Sequence, residues 1–445
     1  MDATCKNVAD KGRNVSALTL IKIFFLSLIG VVMFFLSVDI GGKETILIDH
    51  IASFVIVDLR PMALTLILLI MAYGAFSPYI TGKYKSSVSE MIFSVFKVIG
   101  FILGIMYLTG YAPEWAMKPD MLPFLFEKLA LSVGLLIPVG AIALTFLIGF
   151  GLLEFVSVFM EKLMRPLFRT PGASAIDAVA SFVGSYSIGL LITDRVYKQG
   201  KYSHREAVIV ATGFSTVSAT FMIIVAKTLG LMEYWNFYFW STFFVTFTVT
   251  SITVYLPPIS LFDNVAKDPM PEPPKKDKFK HAALLGIEQY ERNPNVLKLI
   301  WANLKDGLAM SSVVAPSILA IGFIGLVLSK YTPIFEWFGV VLKPFLWMTG
   351  FEDAQQYSGA LASGLAEMFL PSILLKDADL SIRFITAVTT VGSVLFFSGS
   401  IPCILATSVR IKIWHLILLW FIRTVLCLLM SSFVFRLGIA MGWLG

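Results

Sequence analysis

The chain has 445 residues and a formal net charge of +6; 57% of its residues are hydrophobic and only 14% charged, at a mean hydropathy of +0.82. A water-soluble domain carries about 25% charged residues, so a soluble globular chain and a disordered one are excluded. Long apolar runs without strand-type alternation exclude a β-barrel as well, and the positive-inside bias of membrane loops accounts for the basic balance without nucleic acid.

The first sixteen residues are polar, and the apolar run behind them is too long for a signal-peptide core. Stretches of about 20 apolar residues cross the hydrocarbon core as helices. They are expected near Leu18–Val38, Met62–Ile80, Met91–Gly110, Leu129–Leu153, Ala207–Leu229, Phe237–Pro257, Leu308–Leu328, Phe384–Val409 and Ile413–Leu437. Two further stretches, Gly172–Tyr197 and Gly350–Leu375, are apolar but rich in Gly, Ala and Ser. Each is long enough for two half-helices of about eleven residues, which reach roughly 16 Å, about the bilayer midplane, and return. The small residues at Ser181–Gly189 and Ser358–Gly364 suit the tips of such hairpins.

Loop charge favours two re-entrant hairpins over two full spans. With both turning back, Lys83 and Lys85, the group Lys162, Arg165 and Arg169, the cluster from Lys198 to Arg205, and Arg410 with Lys412 all face the cytoplasm. Lys330, Lys343 and Arg383 remain on the other face. The N-terminus is then cytoplasmic and the C-terminus external, in what reads as a bacterial inner-membrane protein. The insert Ser260–Asp306, with Pro269, Pro271, Pro273 and Pro274 beside a lysine run, reads as a solvated cytoplasmic linker.

A shift of 178 positions superposes the two halves without a gap. Pro138 meets Pro316, Arg165-Pro166 meets Lys343-Pro344, Gly172 meets Gly350, Ser185 meets Ser363, Arg205 meets Arg383, Thr212 meets Thr390 and Ser215 meets Ser393. Each half reads as span, interfacial segment, hairpin, span, span. Three crossings is an odd number, so the second copy is inverted. The expected fold is therefore an all-α polytopic membrane protein with about nine transmembrane helices and two re-entrant hairpins in an inverted repeat. Residues 1–128 form an N-terminal three-helix region, 129–259 the first repeat, 260–306 the linker and 307–445 the second repeat.

The spans after each hairpin look broken. One contains Thr212-Gly213-Phe214-Ser215-Thr216-Val217-Ser218; the other contains Thr390-Val391-Gly392-Ser393 and then Ser398-Gly399-Ser400-Ile401-Pro402. Gly, Ser and Pro at mid-span permit local unwinding. Inverted repeats with discontinuous helices are secondary-transporter architecture, with the site at the midplane between copies. This doubled unit resembles the nucleoside-recognition Gate domain of concentrative nucleoside transporters, and the whole chain is similar to the YjiH-type Gate-domain membrane proteins. The segments Ser363–Pro371 and Thr212–Ser218 carry the resemblance. It implies a substrate held between hairpin tips and broken helices, with alternating access. The first hairpin departs from the nucleoside transporters: where they carry Gln, Asn and Glu, Gly172–Tyr197 offers mainly Ser and Tyr.

Enzyme chemistry finds no purchase. Gly82-Lys83 lacks the glycine spacing of a phosphate loop, no His-Glu-x-x-His occurs, and Cys5, Cys403 and Cys427 lie too far apart for a disulfide framework or zinc spacing. Neither metal nor cofactor is expected beyond a coupling Na⁺ or H⁺. Ionisable groups at membrane depth default to function. Lys22, Lys97 and Lys227 can snorkel from helix ends. Arg423 lies deep in the last span, Asp177 reads as a helix-start acid, Asp194 with Arg195 as a surface pair, and Asp49-His50 as a solvated turn. Glu367 is the outlier, an acid within the second hairpin. The expected substrate-binding pool is Ser185, Tyr186, Ser187, Thr212, Ser215, Glu367, Thr390, Ser393 and Ser398, with Glu367 also the ion-coupling residue.

These features favour a secondary active transporter of a small polar organic solute (nucleoside-like, amino acid or small peptide) over a non-transporting sensor or envelope-complex partner. The expected partners are the lipid bilayer and the solute, with association into a homo-oligomer left open.

Overall fold

The computed structural model describes residues 17–40, 43–85, 88–183, 185–269, 277–292, 295–350 and 354–444. Cys5, the rest of the N-terminal sixteen residues and the proline–lysine part of the linker at 270–276 lie outside the described residues. Helix α1 (Ala17–Phe35) leads to an antiparallel ribbon, β1 (Ser37–Ile40) with β2 (Lys43–Ile46), in which Ser37 pairs with Ile46 and Ile40 with Lys43. This ribbon, continued by α2 (Leu47–Val57), is a departure from the all-helical expectation. Asp49 and His50 therefore sit on a helix, not in a solvated turn, and the His50 Nε2 lies 2.8 Å from the Val38 carbonyl. The membrane-length helices α3 (Arg60–Ile80) and α4 (Val88–Thr109) follow. Pro61 opens α3 with the fixed φ that suits a first turn. Lys97 does not snorkel; it is buried on α4.

In the next stretch, π-helical turns at Leu125–Leu131 run into α5 (Ser132–Ile148), and α6 (Leu152–Phe168) lies beyond it. Hairpin 1 comprises α7 (Ser174–Val183) and α8 (Tyr186–Lys198). The expected span Ala207–Leu229 is two pieces, α9 (His204–Gly213) and α10 (Ala219–Thr228), before α11 (Trp235–Thr253). Local chemistry sets these ends. Ser203 and Glu206 form a capping box at the start of α9, and the Ser218 hydroxyl accepts from Phe221 N–H at 3.3 Å to restart the chain as α10.

The linker is not simply a solvated tether. It contains α12 (Lys278–Arg292), which packs on α6 with Phe279 edge-on to Phe155 at 5.6 Å and Ala282 fully buried. Gly151 has a φ of 96°, and a Cβ there would collide with the Gly286 backbone, so the two glycines let α12 approach. Helix α13 then starts at Val296, well inside the expected linker, with the Asn295 side chain accepting from Lys298 N–H at 3.1 Å. It runs to Tyr331, about 54 Å at 1.5 Å per residue, longer than the roughly 30 Å hydrocarbon core.

The second half continues with α14 (Ile334–Gly339) and α15 (Lys343–Met348), then hairpin 2. That hairpin is uneven, with α16 (Ala354–Ser363) against a one-turn α17 (Leu370–Leu374). The expected span Phe384–Val409 is also split, into α18 (Leu380–Ser393) and α19 (Ser400–Ala406), and α20 (Ile413–Ala440) ends the chain. Among the described residues five helices are long and apolar enough to cross a membrane: Arg60–Ile80, Glu90–Thr109, Leu122–Leu147, Val296–Tyr331 and Ile413–Ala440. Exposed Phe24, Leu69, Phe244 and Phe433 cover an apolar exterior suited to lipid. The chain is an integral membrane protein.

Helices α5 and α13 pack along each other at the centre, where the Ser311 hydroxyl donates to the Gly134 carbonyl at 2.5 Å and the Asn303 amide to the Thr145 hydroxyl at 2.8 Å. Around them, α1 and α2 lie on α5, while α3 and α4 lie on α13. A Cβ at Gly100 would overlap the Pro316 carbonyl, so a small residue is needed for α4 to reach α13.

Candidate functional site between hairpin 2 and the broken helices

Hairpin 2 turns at Gly364–Phe369, which puts Glu367 in the turn itself. The side chain is 2% exposed. One carboxylate oxygen accepts from the Phe369 N–H at 3.1 Å, and the other accepts from the Ser398 hydroxyl. No ion pair among the described residues includes Glu367. A buried carboxylate with neutral partners alone is costly unless a proton, cation or polar ligand completes it.

Ser398 reaches Glu367 because the chain between α18 and α19 is unwound and lies against the turn. Phe397 N–H donates to the Leu365 carbonyl at 2.7 Å and Ser398 N–H to the Ala366 carbonyl at 2.9 Å. The unwinding starts at Val394, a β-branched residue with a φ of 64° and ψ of −33°. Such a residue in the left-handed region stores strain, about 1–3 kcal/mol, and strain of this kind clusters at switch regions. Ser400 ties off the loop by donating to the Val394 carbonyl at 2.7 Å and accepting from Phe396 N–H at 3.0 Å.

Hairpin 1 meets the same unwound segment. The Tyr186 ring packs edge-on against Phe396 with centroids 5.5 Å apart, and its buried hydroxyl has no hydrogen-bond partner among the described residues. Ser185 and Ser187 sit beside it, their hydroxyls 2.7 Å apart. At the far end of α8, the Asp194 carboxylate accepts from the Ser408 N–H at 2.6 Å and from Lys198 at 2.8 Å, while Arg195 pairs with Asp306 at 3.1 Å. The expected Asp194–Arg195 surface pair is thus replaced by links to other segments. Asp177 is pinned inside the hairpin, where one oxygen accepts from Thr193 and the other from Tyr202, each at 2.7 Å.

The structure brings Glu367, Ser398 and Tyr186 around one seam, with Ser185 and Ser187 adjoining. It turns three other expected hydroxyls to their own helices: Thr212 donates to the Val208 carbonyl at 2.7 Å, Thr390 to Thr386 at 2.9 Å and Ser393 to Thr390 at 2.9 Å. Ser215 is buried in the first unwound segment, Phe214–Ser218, where the buried Thr216 hydroxyl has no hydrogen-bond partner among the described residues. Sequence reasoning missed Phe396 and Thr250. The second had a signal, since Thr242, Thr246 and Thr250 repeat every four residues along α11.

A cavity of about 80 Å³ adjoins the carboxylate and is lined by Asp120, Phe124, Leu326, Glu367, Phe369, Leu370 and Ile373. That is room for several waters, well below the roughly 300 Å³ at which small-molecule pockets begin. Phe369 stacks on Phe124 at 6.0 Å and meets Phe221 of α10 edge-on at 5.9 Å, and the Asp120–Lys330 pair at 3.0 Å stands at the outer side. Among the described residues no group of three or more His, Cys, Asp or Glu is placed to hold a metal ion.

Comparison with known proteins bears on the first repeat and on the fold. The Gate family model, described as nucleoside recognition, matches residues 130–232, from α5 through both pieces of the first broken helix. An uncharacterized protein of Alkalihalophilus pseudofirmus is 27% identical over 436 residues, covering 92% of each chain. The sporulation integral membrane protein YlbJ of Bacillus subtilis is 32% identical over 87 residues, 20% of this chain and 21% of that protein. Among solved structures, a double variant of the concentrative nucleoside transporter CNTnw in an outward-facing state superposes with a TM-score of 0.51 at 13% identity, over 94% of this chain and 100% of that one. The Gate resemblance is met, with Thr212–Ser218 inside the matched stretch, and the fold is similar to that of CNTnw.

Proposed function

We propose that the protein is a secondary active transporter of a small polar organic solute, with Glu367 as the coupling and recognition carboxylate. One observation carries the reading: a buried acid, with no ion pair among the described residues, lies in a hairpin turn, bonded to the hydroxyl of an unwound helix and next to a cavity. Such a group can exchange a proton or Na⁺ as access alternates between faces. Nucleoside-like solutes are the first candidates, ahead of amino acids and small peptides; the Gate match and the CNTnw-like fold support that order. The mainly apolar lining, with Tyr186 and the Ser185–Ser187 pair nearby, suits a ring system with a few polar edges.

In this reading the two hairpin–broken helix–helix units are an inverted repeat in a bacterial inner membrane, the N-terminus is cytoplasmic and the C-terminus external. The cavity of about 80 Å³ is too small for the solute, so admission requires the hairpin 2 turn to part from Val394–Gly399. The experiment is uptake into proteoliposomes of labelled uridine, adenosine, amino acids and dipeptides under imposed pH or Na⁺ gradients. Gradient-driven accumulation of one class by wild type, lost in folded Glu367→Gln, is the expected result. A second reading, a non-transporting membrane component, is favoured by the similarity to a sporulation membrane protein. It predicts no accumulation of any of these solutes by well-folded protein under either gradient.

A further inference from the structure

Arg423 lies midway along α20, is 1% exposed, and forms no ion pair among the described residues. Its guanidinium spends its donors on the two broken helices. Nε donates to the Ser393 carbonyl at 3.2 Å and Nη2 to the Gly392 carbonyl at 2.8 Å, at the C-terminal end of α18 where the chain unwinds. Nη1 donates to the Thr250 hydroxyl at 3.0 Å, and that hydroxyl stands 3.0 Å from the Gly213 carbonyl, at the C-terminal end of α9 where the first helix breaks. The Thr250 proton is shared with the Thr246 carbonyl at 2.8 Å.

We propose that Arg423 is a tethered cation that joins the two helix breaks and positions both. A half-helix ending inside a membrane leaves carbonyls without partners and a partial negative charge. Broken helices commonly meet that demand with a bound cation at carbonyl and hydroxyl oxygens. Here a planar fork fixed to α20 supplies the charge, with two teeth on one break and the third reaching the other through Thr250. Donation from a charged group to the Thr250 oxygen polarises its O–H and strengthens what it offers to Gly213. Displacement of either break is thereby felt at the other. This role does not require that the chain transport anything, so it stands or falls apart from the proposed function.

The test is hydrogen exchange on purified full-length protein in detergent, followed by mass spectrometry. In Arg423→Gln, protection should fall at least tenfold both at Val394–Gly399 and at Phe214–Ser218, although Arg423 hydrogen-bonds the second segment only through Thr250. Arg423→Lys should recover the first segment better than the second, because an ammonium cannot span both. In Arg423→Ala, guanidinium at a few millimolar, below denaturing levels, should restore protection at both, while equal tetramethylammonium should not. Loss confined to Val394–Gly399, or no restoration by guanidinium, overturns the proposal. If the Arg423 variants do not fold, Thr250→Val carries the test: it should loosen Phe214–Ser218 and leave Val394–Gly399 protected, and unchanged exchange at Phe214–Ser218 overturns the link.

Discussion

The Ser398 hydroxyl donates to the Glu367 carboxylate across the seam between the hairpin 2 turn and the unwound segment of the following helix. The two residues are 31 positions apart, and backbone bonds from Phe397 and Ser398 to Leu365 and Ala366 hold the same seam. Opening the site means breaking this short set of bonds together. Ser398→Ala leaves one carboxylate oxygen without its donor, which costs about 1–3 kcal/mol when the group is buried. The expected outcome is a lower melting temperature in detergent and weaker solute binding, with Ser398→Thr recovering both.

Asp177 is expected to be structural. In Asp177→Ala the Tyr202 hydroxyl loses its acceptor, while Thr193 keeps the Gly189 carbonyl at 3.0 Å. A loss of about 1–3 kcal/mol follows from one stranded buried hydroxyl. Adding Tyr202→Phe should recover part of that loss. Denaturant or thermal unfolding of the single and double variants checks this, and equal stability of the two would argue against the pairing.

Lys201 and Glu154 form a buried ion pair, each 7% exposed. Removing one partner strands a charge, so Lys201→Met should destabilise by about 3–5 kcal/mol, whereas Glu154→Leu with Lys201→Met should come close to wild type. The burial also makes Lys201 a poor site for topology labelling. Lys267 and Asp379 are exposed and serve instead. In a background without Cys5, Cys403 and Cys427, cysteines at these two positions should react with an impermeant maleimide from opposite sides of the membrane. Labelling of both from one side would sink the inverted topology.

At the outer side of the cavity, the hydrogen bond from Lys330 holds the Asp120 carboxyl below its ordinary pKa. A depressed folded-state value means that the stabilisation is present above the unfolded pKa, about 3.9, and is lost as pH falls through the lower folded value. The melting-temperature difference between wild type and Asp120→Asn should therefore be constant from about pH 5 to 8 and vanish on stronger acidification. A difference that changes between pH 6 and 8 would mean that another group titrates at this pair.

Composition, period and small-residue clusters determined the membrane class, the two hairpins and both helix breaks. Each is a local property: a run of apolar side chains must close its backbone bonds within itself, and Thr212–Ser218 or Ser398–Pro402 weakens that closure wherever it is placed. Glu367 stood out for the same reason, since the cost of an acid amid apolar neighbours is legible from the neighbours alone. The partners of these groups were not legible. Arg423 was visible as a deep cation, but its reach to Thr250, 173 positions away, exists only because α11, α18 and α20 pack together. The Thr212, Thr390 and Ser393 hydroxyls look equivalent to Ser398 in sequence, yet a helical backbone offers the first three a carbonyl one turn back, and the unwound segment leaves Ser398 free to reach Glu367. Lys278–Arg292 falls in an insert that reads as a solvated linker because of its prolines and lysine run, and its burial on α6 depends on a surface that forms only when the chain has folded. Tertiary structure decided which polar groups meet, because hydrogen bonds act over about 3 Å while the sequence separates their partners by tens to hundreds of residues.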